Sequence, residues 1–265
     1  MDDTTRNPFE GEVAEVSLPD APLAKVLAQL RYPRPLDFEE ASVELVRKAL
    51  GSRYPVNREA KAMAILLTPD GVSQQQSPDT NWVFEDVRGN WKITLADKAI
   101  ALETTAYTSR TDFCERLSEI IHVVGETLRP PVFDRLGIRY INRLEGAEIV
   151  DDLESLVQPV ALAGLIVPHD GVQLVHSLCD SLFIDGTTHL QVRWGWLPAG
   201  TGIDQTVPAP SVPYWLLDID SFTGNGGPFE AGVLDGYARN LAERAHRFFR
   251  WAVTDKFLKR FGGKL

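Results

Sequence analysis

The chain has 265 residues, a formal net charge of −10, and 44% hydrophobic and 24% charged residues. This length and balance suit one large folded body or two packed smaller ones, and exclude a disordered, collagen-like or disulfide-stapled chain. No apolar run reaches the about 18 residues of a membrane span, and the opening MDDTTRNPFEGEVAEVSLPD is acidic where an export signal is basic and then apolar, so no membrane association is expected.

Residues 1–18 lack a hydrophobic period and are read as a flexible N-terminal arm. The run APLAKVLAQLRYPR, residues 21–34, reads as a first strand broken by proline. A helix is expected over Leu36 to Leu50, with Asp37 as its N-cap and Gly51 as its stop. AKAMAILLTP, NWVFEDV, NWKITLA and AIALETTAY follow as an antiparallel meander, separated by hairpin signals. Phe113, Leu117, Ile120, Ile121, Val124 and Leu128 then share one helical face, and Pro130 and Pro131 end that helix.

The order then recurs. VFDRLGIRYINRL reads as a strand, DDLESLVQPVALA as a helix, and VQLVHSLCDSLFI, THLQVRWGWLP and VPYWLLDIDSF as three strands. A long helix from about Pro228 carries an apolar stripe from Leu234 to Ala252. Leu30-Arg31-Tyr32 and Ile138-Arg139-Tyr140 match at an offset of 108 residues. The expected fold is therefore α+β, with two similar halves, 19–130 and 131–265. Each is strand, helix, antiparallel meander and helix, packed around a pseudo-twofold.

At DRLGIRYINRL the chain resembles a sporadically distributed family of uncharacterised bacterial proteins of the TIGR series, marked by an R-x-G-x-R-Y-x-N strand. The opening LPDAPLAKVLAQLRY, the pair Trp82 and Phe84, the helix from Tyr107 to Leu128 and the closing ARNLAERAHRFFRWAVTDKF agree with it. The resemblance implies an architecture and a mobile-element or phage-defence setting, with no catalytic residues to carry over.

Chemical motifs are sparse. None of the five histidines forms a ligand spacing, and His176 and Cys179, three apart on a strand, leave opposite faces, so neither metal nor cofactor is expected. Cys114 and Cys179 fall short of a secreted disulfide framework and suit a reducing cytoplasm. Gly224 to Gly227 lacks the lysine of a phosphate loop and reads as a turn before a helix that opens with Pro228. Residues 239–265 carry eight Lys or Arg against Glu243 and Asp255, which reads as a solvated cationic helix face and leaves nucleic acid an unfavoured partner.

Two groups stand out. Asp218 and Asp220 share a strand face as a candidate acidic pair, able to hold a divalent ion, share a proton or pair with arginine. Arg31 and Tyr32, with Arg139, Tyr140, Asn142 and Arg143, form the candidate binding set for a protein partner or small anionic ligand at the interface of the halves. Along the second strand Arg135, Gly137, Arg139 and Ile141 take one face, and Leu136, Ile138, Tyr140 and Asn142 the other. Trp194 and Trp196 are read as core beneath the last helix. The leading expectation is a non-catalytic binding or regulatory protein. The competing one is an enzyme on a phosphorylated or nucleotide substrate, with Arg139 and Arg143 on the anion and Asp218 or Asp220 as base or Mg²⁺ ligand.

Overall fold

The computed structural model describes residues 7–11, 13–68, 71–146, 149, 151–168, 171–204 and 207–264, with the side chains of 61–79 left aside. Eleven named strands and five α-helices follow one another as β1 (Leu23–Arg31), α1 (Glu40–Leu50), β2 (Val56–Thr68), β3 (Gly71–Glu85), β4 (Trp91–Ala96), β5 (Ala99–Thr104), α2 (Arg110–Thr127), β6 (Val132–Phe133), β7 (Arg135–Glu145), α3 (Leu153–Leu156), β8 (Ser177–Asp185), β9 (Thr188–Leu197), β10 (Tyr214–Thr223), β11 (Gly227–Pro228), α4 (Ala231–Ala252) and α5 (Asp255–Arg260). The fold class is α+β: a nine-stranded sheet in the order β2-β3-β4-β5-β1-β7-β10-β9-β8, every neighbouring pair antiparallel, with helices on one face.

Strand alternation sets the layers. Val26, Ala28 and Leu30 of β1 and Leu136 and Ile138 of β7 are fully buried on the helix face. There they join Phe113, Leu117, Ile121 and Val124 of α2. The first half of α4, through Leu234, Ala238, Leu241 and Ala242, completes this core. Its second half, through Ala245, Phe248 and Ala252, packs on a neighbouring core with Trp215, Leu217, Ile219 and α5. The expected α4 stripe is thus buried, and it roofs both cores. Trp194 stacks near Phe248 at 6.2 Å, and the fully buried Trp215 donates its indole N–H to the Ala161 carbonyl at 2.9 Å.

Three boundaries differ from expectation. Helix α1 starts at Glu40 because Glu39 and Ser42 form a reciprocal capping box, while Asp37 offers only its backbone carbonyl to Ser42 Oγ. DDLESLVQPVALA is broken into α3 and a 3₁₀ segment, Pro159–Ile166, since Pro159 has no N–H to continue a helix. Helix α4 starts three residues past Pro228, which is held in strand pairing opposite Val132.

The other sheet face is partly covered by residues 198–204 and 207–213. Val207 packs with Ile141 and Leu216. Tyr214 donates its hydroxyl to the Thr201 carbonyl at 2.8 Å, and Arg143 Nη1 donates to the Pro208 carbonyl at 2.7 Å. Residues 7–11 and 13–18 carry no regular secondary structure, yet Phe9 sits 5.0 Å from the Phe183 ring and Val16 and Leu18 pack on the second core. Among the described residues no helix is long and apolar enough to cross a membrane.

Candidate functional site

Strand β7 lies at the centre of the sheet, between β1 and β10, and sends its residues to two different environments. On the open face Arg139 grips Asp218 with both Nε, at 2.7 Å, and Nη2, at 2.9 Å, and its Nη1 reaches Asp204 at 2.6 Å. Arg193 of β9 also donates to Asp218. Arg135 donates to Asp220 at 2.8 Å, with its guanidinium 4.3 Å over the Phe222 ring. That geometry explains the glycine of the motif: a Cβ on Gly137 would stand 2.5 Å from Arg135 Nη1. Burial lifts the Asp220 carboxyl above its usual range, against the pull of Arg135 and Arg139.

Three guanidinium groups therefore meet three carboxylates, and Asp218, only 2% exposed, accepts from two of them. Asp218 and Asp220 do share a face, but each is committed to arginine rather than to the other. Arg31 is exposed and faces Arg135 across the β1–β7 ladder. Tyr32 is fully buried under the helices, where burial, then Asp97, pushes its phenol well up. Arg143 lies toward the far end of β7, paired with Glu145. The structure thus groups Arg139 with Asp218, places Arg143 apart, and puts Tyr32 and Tyr140 on the helix side.

On that helix side Tyr140 and Asn142 line a cavity of about 270 Å³ at the seam of the two cores. Its walls include Pro22 and Leu23 at the start of β1, Ile219 of β10, and Ala245, His246 and Phe249 of α4. The volume is near the lower end of the about 300–1,000 Å³ common for small-molecule sites. Its lining mixes apolar and polar side chains. Asn142, 4% exposed, donates Nδ2 to the Leu217 carbonyl at 3.1 Å, which leaves its carboxamide oxygen without a donor among the described residues. The Tyr140 hydroxyl is buried beside the Tyr107 phenol, with no hydrogen bond of good geometry among the described residues. Tyr107 stands edge-on to Tyr140 at 5.7 Å. Burial raises both phenols far above neutral pH, so they stay protonated.

The N-terminus of α2 forms one rim. Ser109 caps it by accepting from the Asp112 N–H at 3.1 Å. The Arg110 N–H donates to Glu15 Oε1 at 2.8 Å, and Arg110 Nη1 is buried without an acceptor among the described residues. Opposite, burial lowers the pKa of His246, whose Nε2 lies 3.4 Å from the Ala14 carbonyl, so the ring is neutral at pH 7. Cys114 is buried nearby, its thiol pushed up to about 11, far from a reactive thiolate.

Sequence reasoning reached Tyr140 and Asn142 and missed Glu15, Arg110 and His246. The one local signal was Ser109-x-x-Asp112, which marks a helix start. The remaining features are structural. Gly226 allows backbone approach, since a Cβ there would meet the Phe133 carbonyl at 2.1 Å. Within the basic C-terminal stretch Arg244 pairs with Asp185, Arg247 with Glu243, and Lys256 with Asp152. Among the described residues no three His, Cys, Asp or Glu side chains converge as a metal site. No protein-family model matches the chain, and no curated protein matches it.

Proposed function

We propose that this is a non-catalytic binding protein which takes up a small ligand in the cavity between α2, α4 and the centre of the sheet. The observation that carries the reading is Asn142, a nearly buried carboxamide on the central strand whose acceptor meets no donor among the described residues and which lines the cavity. Of the two occupants expected from the sequence, a protein partner and a small ligand, the half-enclosed cavity supports the small one. The enzyme reading draws less support, because Asp218 and Asp220 are already committed to arginine on the other face and Arg143 is turned to Pro208 and Glu145.

The test is a chemically diverse fragment screen by thermal shift and ligand-observed NMR, run beside Ala21→Trp, which adds bulk at a half-buried wall position just after the turn at Pro19 and Asp20. Fragments that bind the native chain and are lost in that variant support the reading. Fragments that bind both equally, or none that bind, overturn it.

We further propose that the halves are related by an approximate twofold between β1 and β7. In support, β5, β4 and β3 run outward from β1, and β10, β9 and β8 run outward from β7, each stepping back through its meander. A backbone superposition of β1-β5-β4-β3 on β7-β10-β9-β8 with a rotation far from 180° would refute it. Kinship to the R-x-G-x-R-Y-x-N family is part of the same proposal, supported by the separate duties of Arg135 with Gly137, Arg139 with Asp218, and Tyr140 with Asn142. A cytoplasmic setting is supported by the free thiols of Cys114 and Cys179.

A further inference from the structure

Resting on the cavity assigned above, we infer that its ligand is a small apolar carboxylate, whose carboxylate takes the place that the protein's own Glu15 occupies at the start of α2.

The apolar part of the wall, which includes Leu18, Leu23, Ile219, Ala245 and Phe249, asks for a hydrocarbon body. The polar end is biased toward an anion by three features. The first turn of α2, an 18-residue helix, points its N–H groups and the positive end of its dipole at this rim. The Arg110 guanidinium stands beside it with a buried Nη1 that has no acceptor among the described residues. The phenols of Tyr107 and Tyr140 add neutral O–H groups.

Among the described residues the only carboxylate lining the cavity is that of Glu15, and it marks the position directly. Glu15 Oε1 accepts the Arg110 N–H at 2.8 Å, while Oε2 lies 3.7 Å from Arg110 Nε, too long for a strong fork. Glu15 belongs to an extended segment fixed at both ends. Phe9 packs between Phe183 and Phe248, and Leu18 packs against Gly263. Between those anchors Ala14, Glu15 and Ser17 are exposed. A carboxylate arriving from solvent would replace one exposed, imperfect ion pair and gain the unused Arg110 Nη1 as well. An amine would place a cation against Arg110 and the helix dipole, and a primary amide would forgo the charge-assisted bonds.

The experiment is isothermal titration of the full chain with octanoate and 3-phenylpropionate, against their primary amides and the amines of equal length. The acids should bind at least about tenfold more tightly than their amides, since a charge-assisted hydrogen bond is roughly twice as strong as a neutral one. Glu15→Gln, on the exposed segment, should tighten acid binding about two- to fivefold by removing the internal competitor. Arg110→Gln should weaken acid binding about tenfold and amide binding by a clearly smaller factor. Hydrogen exchange of residues 13–17 should quicken when octanoate is bound. Amides or amines that bind as well as the acids, or acid affinity unmoved by Glu15→Gln, overturn the inference. If the diverse screen yields neutral ligands that Ala21→Trp abolishes while the acids fail, the ligand class falls and the cavity reading stands.

Discussion

The two faces of β7 are built from alternate residues of one strand and solve opposite problems. On the open face the β7 arginines have found counterparts: Arg139 with Asp218 and Asp204, Arg135 with Asp220, and Arg143 with Glu145, while Arg193 joins them at Asp218. On the helix face the groups are weaker but incomplete, with the Tyr140 hydroxyl and the Asn142 oxygen lacking partners among the described residues. A saturated network holds its own strands in register and has nothing left to offer a ligand. Incomplete neutral groups beside a cavity keep hydrogen-bonding capacity for a visitor. On the proposed reading the prominent arginines serve the architecture, and Tyr140 and Asn142 serve the ligand.

The sharpest way to break that contrast is Asp218→Ala. It strands Arg193 and removes the main acceptor of Arg139 in a nearly buried setting, so chemical denaturation should show a loss of about 3–5 kcal/mol. Arg139→Lys keeps the charge but gives up the planar fork, with an expected loss of about 1.5–3 kcal/mol and ligand affinity unchanged. A binding defect without a stability defect would return Arg139 to the binding site. Gly137→Ala should cost less, about 1 kcal/mol, because the atom it crowds is the far end of the Arg135 side chain, which can swing away from Asp220. Tyr140→Phe should leave stability within about 1 kcal/mol of the native chain, since the deleted hydroxyl makes no hydrogen bond there, while altering fragment affinity.

A finer test uses pH. Burial lowers the folded-state pKa of His246 below its ordinary 6.5, so the unfolded chain takes up a proton there before the folded one does. Stability should therefore fall as pH drops through about 6.5, and level off once the folded ring protonates too. His246→Gln should flatten that part of a stability-versus-pH curve, measured by denaturant midpoints. A curve of unchanged shape would show that the ring is not held neutral at the cavity wall.

The facial split of β7 was legible because strand side chains alternate strictly, and DRLGIRYINRL places charge and apolar residues on opposite phases. The α4 stripe was legible for the same reason at helical period. Capping was not: Asp37 is the better N-cap by residue type, and the reciprocal bonds of Glu39 with Ser42 set the start instead. Nor was the cavity, because its rim unites Glu15 with Arg110, 95 residues apart, and His246 with Ala14, 232 apart. Periodicity reports on neighbours within an element and says nothing about which distant elements share a seam.

The position of β1 has a consequence for biosynthesis. During translation β1 gains β5 on one side, but its other edge waits for residues 135–145 of β7. At about 5–20 residues per second that edge stays bare for a few seconds, when strand edges are prone to pair with other chains. Lys25 and Arg31, charged at both ends of β1, blunt it meanwhile. The core beneath stays unroofed longer, until Leu234 to Ala242 emerge. A nascent chain stalled before residue 231 thus carries a paired sheet over an open apolar floor, the kind of species that chaperones hold and proteases clear.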